Sequence, residues 1–132
     1  MTSLSQLLLK KPGFLCMTPA KDEEIKRAED ELQLKFSNEY GEYLLNYGVA
    51  TFQGHELTGL TKSSRLNVIA VTRKEREKTP FVPNSCYVVE DTNIDGIVIW
   101  QMSSGEVFQT QSGCSETKIL YKSLYEYIEA CK

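Results

Sequence analysis

The chain has 132 residues, 15 Lys and Arg against 18 Asp and Glu for a net charge of −3, and 41% hydrophobic residues. That length suits one domain over residues 1–132, whose folding buries roughly two-thirds of the unfolded surface, so a core forms without disulfides or metal. The small acidic excess excludes a uniformly basic nucleic-acid binder, and runs such as Leu7-Leu8-Leu9 and Ile97-Val98-Ile99-Trp100 fall far short of the ~20 residues of a membrane span.

Met1-Thr2-Ser3 lacks the basic start and small-residue cleavage site of a secretion signal, so cytoplasm is the expected location. Ser3 to Lys10 reads as a short helix with Leu4, Leu7 and Leu8 on one face, ended by Pro12-Gly13. Phe14-Leu15-Cys16-Met17 reads as an edge strand. After Thr18-Pro19-Ala20 a helix begins, with Asp22, Glu23 and Glu24 at its positive end and Ile25, Ala28 and Leu32 on one face. Ser37 is the expected cap of a third helix and Gly48 its stop. Tyr40, Tyr43, Leu44 and Tyr47 share a face of that helix, and Gly41 weakens it, in a place that suits a close backbone approach.

His55 to Leu60 reads as a strand and Asn67 to Lys78 as a helix. Strands follow at Ser85–Glu90, Gly96–Met102 and Glu106–Gln111, punctuated by Asp95-Gly96 and Ser103-Ser104-Gly105. A final helix is expected to carry Leu120, Leu124, Tyr127, Ile128 and Cys131 toward the core. Helices, then hairpin-linked strands, then a helix indicate an α+β fold rather than alternating βαβ units. In the second of those strands Val98, Trp100 and Met102 alternate with Ile97, Ile99 and Gln101, so both faces are apolar or long; the strand is expected to be central and Trp100 to lie in the core.

No motif of enzyme chemistry is complete. Cys16, Cys86, Cys114 and Cys131 form no close pair of metal-ligand spacing and read as free thiols. His55 is the single histidine; a triad would need it beside Ser85 or Cys86, and otherwise it is a strand-edge imidazole. Gly54 and Gly59 frame four residues, as in a phosphate loop, but the next residues are Leu60-Thr61-Lys62, so they read as strand punctuation. Asp91-Thr92-Asn93-Ile94-Asp95-Gly96 opens like a calcium loop, yet its twelfth position is Met102 and its flanks are strands, which makes it a hairpin loop. The expectation is therefore no catalytic residue, no metal and no cofactor.

Charge is uneven. From Thr79 to Thr117 there is no Lys or Arg, while Glu90, Asp91, Asp95, Glu106 and Glu116 all fall there. One reading is an acidic face that attracts a basic partner; the other is that strands space their solvated residues this way. The basic run Arg73, Lys74, Arg76, Lys78 is interleaved with Glu75 and Glu77 and reads as a solvated helix face.

Pro19-Ala20, Ile25, Ala28-Glu29, Leu32, Tyr40, Tyr43-Leu44 and Tyr47-Gly48 resemble the signature helices of the SUKH superfamily. Tyr87-Val88-Val89, the Asp/Gly loop, Ile97 to Trp100, Ser104-Gly105-Glu106-Val107 and the closing Ser123 to Ile128 helix extend the likeness over nearly the whole chain. Two positions depart: Lys21 stands where members carry a capping hydroxyl, and Ser37 where a proline is common. The resemblance implies helices packed around a predominantly antiparallel sheet. It also implies a protein that works by binding, as many bacterial members look like immunity proteins that block a cognate secreted toxin, often a nuclease domain. The expected partner is such a toxin, with no direct nucleic-acid or membrane contact, and the protein itself a monomer or weak dimer. The expected contact residues are Tyr87, Glu90, Asp91, Asn93, Asp95 and Glu106. Two alternatives stand beside this: a scaffold or regulatory module with no toxin, and a hydrolase using His55 with Cys86.

Overall fold

The computed structural model describes residues 3–131; Met1 and Thr2, which carry the reading of the chain's start, lie outside the described residues. Helix α1 (Leu4–Leu9) opens with a reciprocal cap. Ser3 Oγ accepts from the Gln6 amide at 3.2 Å, and the Gln6 side chain accepts from the Ser3 amide at 3.0 Å. Strand β1 (Leu15–Cys16) is an edge, as expected. Helix α2 (Asp22–Leu32) starts without a capping hydroxyl. Lys21 has no oxygen to offer, and instead the Glu24 carboxylate accepts from the Lys21 amide at 3.0 Å. Helix α3 (Asn38–Tyr47) is capped by Ser37, whose Oγ accepts from Tyr40 N at 3.1 Å, and stopped by Gly48 at φ 70°.

Strands β2 (Ala50–Phe52) and β3 (His55–Glu56) form a hairpin over Gln53-Gly54. The strand expected over His55–Leu60 stops at Glu56; beyond it the chain makes only single bridges, Leu57 to Glu90 and Gly59 to Asn67. Helix α4 (Val68–Lys78) is one residue shorter than expected, because Asn67 is its cap: the Asn67 side-chain oxygen accepts from the Ile69 amide at 2.9 Å. Strands β4 (Tyr87–Asp91), β5 (Ile97–Gln101), β6 (Val107–Gln111) and β7 (Lys118–Tyr121) follow, then helix α5 (Leu124–Ala130). Leu120 therefore lies in a strand and not in the final helix.

The strands make two antiparallel sheets, ordered β1-β2-β3 and β4-β5-β6-β7. They meet where Leu57 bridges Glu90 and the Thr58 amide donates to Val89 O at 2.9 Å. The first three strands of the four-stranded sheet are buried on both faces. One face, with Tyr87, Val89, Ile99 and Val107, joins the main core of α1, α2, α3 and α5, where Phe36, Tyr40, Tyr43 and Tyr87 stack edgewise or tilted. The other, with Val88, Val98, Trp100 and Phe108, packs on Val71, Val82 and Cys86 as a second core. Trp100 is fully buried and donates its indole N–H to Thr110 Oγ1 at 2.9 Å, which bears out its place in the core and that of β5 inside the sheet.

Two glycine readings change. A Cβ on Gly41 would meet nothing within 4 Å, so no backbone approaches it. The close approach is at Gly59, where a Cβ would sit 1.7 Å from Gly48 O, and at Gly48, where it would sit 2.1 Å from Thr18 O. Three segments of backbone cross there, tied by Leu60 N donating to Gly48 O at 3.0 Å.

Candidate functional site

The turn between β4 and β5 is the most sharply built exposed feature. Asn93, Asp95 and Gly96 stand at φ 57°, 54° and 69°, left-handed angles that Asn, Asp and Gly tolerate better than other residues. Local hydrogen bonds hold the turn: Asp91 Oδ1 accepts from the Asn93 amide at 3.0 Å, Thr92 Oγ1 donates to Ile97 O at 2.7 Å, and the Ile97 amide donates to Ile94 O at 3.0 Å. The next turn of the sheet, 112–117, lies against it. Ser112 N donates to Gly96 O at 3.2 Å, and a Cβ on Gly96 would fall 2.1 Å from Ser112 Oγ. Asn93, Asp95 and Glu116 are exposed and Asp91 is half-exposed. Between Asn93 and Asp95 the apolar side chain of Ile94 is 63% exposed.

Three of the six expected contact residues thus share the tip: Asp91, Asn93 and Asp95. Tyr87 and Glu90 do not face outward. The Tyr87 hydroxyl donates to Gln101 Oε1 at 2.7 Å and accepts from Ser37 N at 2.9 Å, and burial pushes its ionisation far up. Glu90 is 3% exposed; its carboxylate accepts from the Tyr127 hydroxyl and lies 3.0 Å from His55 Nδ1. Both side chains are buried and taken up by internal bonds. Glu106 is half-exposed and belongs to the opposite end of the sheet, since the five residues of β5 separate the two turns by about 16 Å. Its carboxyl is held below the usual range by the Ser104 hydroxyl. Ile94 was not among the expected contact residues, although an isolated isoleucine inside an Asp/Asn/Gly turn is itself a signal; Glu116 was noted only as part of the acidic run.

The flank of the tip is not purely acidic. Asp91 and Asn93 form one wall of a cleft of about 430 Å³ whose other wall carries Arg65 and Lys74. Arg65 grips Glu56 with both guanidinium branches, at 2.6 and 2.9 Å, and that pair of bonds lowers the ionisation of the Glu56 carboxyl. Arg73 and Arg76 are not simply solvated either; they reach the last carbonyls of α2, at Glu31 and Leu32.

His55 and Cys86 are not brought together. His55 stacks on Phe52 and faces Glu90, so it is a structural link between β3 and β4 rather than an idle edge residue. Cys86 is buried beside Val82 and Trp100, with its thiol pushed up by burial. The Thr18–Ala20 stretch has a surface role that its sequence did not suggest. With Glu24, Arg27, Ala28 and the 60–62 loop it lines a cleft of about 720 Å³. Among the described residues no group of three His, Cys, Asp or Glu side chains is placed to hold a metal ion, and no helix is long and apolar enough to cross a membrane.

No curated protein matches the chain. A family model of the SUKH type, described as SMI1-KNR4 cell-wall, matches residues 3–131. That span takes in both sheets, all five helices and the hairpin tip, and the chain belongs to this SUKH family.

Proposed function

We propose that this protein is an immunity protein, which binds a cognate secreted toxin and neutralises it by covering its working surface. Family membership supports a binding role, since the family is generally non-catalytic. The observation that carries the choice of surface is the braced tip at one end of the four-stranded sheet, with Asp91, Asn93 and Asp95 on it, Glu116 exposed in the adjoining 112–117 turn, and no Lys or Arg in the sequence from Thr79 to Thr117. A nuclease active site must accept a polyanion and is basic, so an acidic tip steers toward it and speeds encounter. Cells carrying the toxin gene adjacent to this one are expected to survive when the protein is co-expressed and to die without it. Asp91→Lys with Asp95→Lys is expected to slow association with that toxin at low salt. Unchanged kinetics would remove the tip as the contact, and death despite co-expression would remove the immunity reading.

A second reading, a scaffold or regulatory module that binds a cellular protein, is favoured by the cell-wall description of the matching family. It expects no toxin gene beside this one.

A further inference from the structure

We infer that Ile94 is the apolar anchor of the toxin contact, a residue that determines which toxin is held, and that the matching feature on the partner is an apolar socket rimmed by Lys and Arg. This rests on the immunity reading above. Ile94 is 63% exposed, while the neighbouring isoleucines of the hairpin, Ile97 and Ile99, are packed against the main core. It occupies the one apolar position between three left-handed residues, Asn93, Asp95 and Gly96. The Thr92 and Ile97 bonds close the turn beneath it, and the 112–117 turn buttresses Gly96 from the side. A turn braced on both sides loses little freedom when it docks, so the burial of its apolar tip is not offset by ordering of the loop. Around that tip stand Asp91, Asn93 and Asp95, which a cationic rim would complement. The two parts act on different rates: exposed charge speeds association, and a desolvated apolar contact slows dissociation.

The test uses the whole chain and the toxin domain encoded beside it, prepared as an inactive variant, with association and dissociation followed at low and high salt. Ile94→Ser is expected to dissociate about ten- to a hundred-fold faster, with its association rate and salt dependence unchanged. Ile94→Leu is expected to keep most of the affinity, and both variants to melt at the wild-type temperature. If the wild type binds and Ile94→Ser dissociates at the wild-type rate, the anchor is wrong while the immunity reading stands. If Ile94→Leu loses as much as Ile94→Ser, or if Ile94→Ser melts earlier, the anchor role is likewise overturned. If the wild type does not bind, the immunity reading fails and the anchor with it.

Discussion

Gly41 and Gly59 show how differently one residue type can be used. Gly41 lies inside α3 with open space where a Cβ would go, so it contributes only backbone freedom to the unfolded chain. Gly41→Ala is expected to stabilise the protein by about 0.5–1 kcal/mol. Gly59 lies where backbone crosses backbone, and Gly59→Ala must push the Gly48 carbonyl aside; a loss of at least about 3 kcal/mol is expected. Urea denaturation of both variants, compared at a common slope, checks the pair; a destabilised Gly41→Ala would show that α3 needs that glycine for something else. The sequence could place Gly41 on a helix but not report that nothing faces it. Nor could it announce that Gly59 meets Gly48, because that contact depends on how β3, α3 and the start of α4 are hung on each other.

Among elements, α5 depends on a residue from elsewhere. Its first amides, Leu124 N at 2.5 Å and Tyr125 N at 3.2 Å, donate to the carboxylate of Glu39 in α3, which also accepts from Gln101 Nε2 at 2.8 Å. One carboxylate thus sits at the positive end of a helix and holds it to the sheet. Glu39→Ala is expected to lower stability by about 2 kcal/mol, because it frees the helix amides and one N–H of Gln101, whose other bond to Gly105 O at 2.9 Å remains. Amide exchange in α5 should quicken more than in α3, and an equal change in both would argue against the cap. The helices were legible from sequence, since Ser37, Asn67 and Ser123 are side-chain caps that act within three residues of themselves. Strand β7 was not. Lys118-Ile119-Leu120-Tyr121 runs almost directly into the Ser123 cap, and what makes it a strand is pairing with residues ten or more positions earlier, Ile119 opposite Phe108 and Tyr121 opposite Val107.

For the molecule as a whole, the main core is unusual in holding hydroxyls. Burial pushes the ionisation of Tyr40, Tyr43 and Tyr87 up, and that of Tyr127 too, where the neighbouring Glu90 adds to it. Burial pushes the Cys131 thiol up to about 11 as well. In the unfolded chain these groups ionise near their ordinary values, while in the folded chain they stay protonated. Their contribution is therefore fully present below those ordinary values and lost as pH rises past them toward the raised ones. Stability is expected to show no loss from these groups through neutral pH and to fall steeply above about pH 10. Following urea midpoints alongside tyrosinate absorbance checks this; four of the seven tyrosines should ionise only as the chain unfolds, and early ionisation of all seven would refute it. At this scale the α+β class was readable from element order and the family from its signature helices. The candidate site was readable only in part, for an acidic run in sequence cannot say that Glu90 turns inward or that Glu106 lies at the far end of β5.

The division of aromatic residues between the two cores has a practical consequence. Trp100, stacked on Phe108, is the lone indole and belongs to the second core, whereas all seven tyrosines lie in or against the main one. The two sides of one sheet thus carry different chromophores. Emission from the indole watches the side that α4 covers and near-ultraviolet absorbance of the phenols watches the other, so a single unmodified sample reports whether both sides of the sheet come apart in one step or in two.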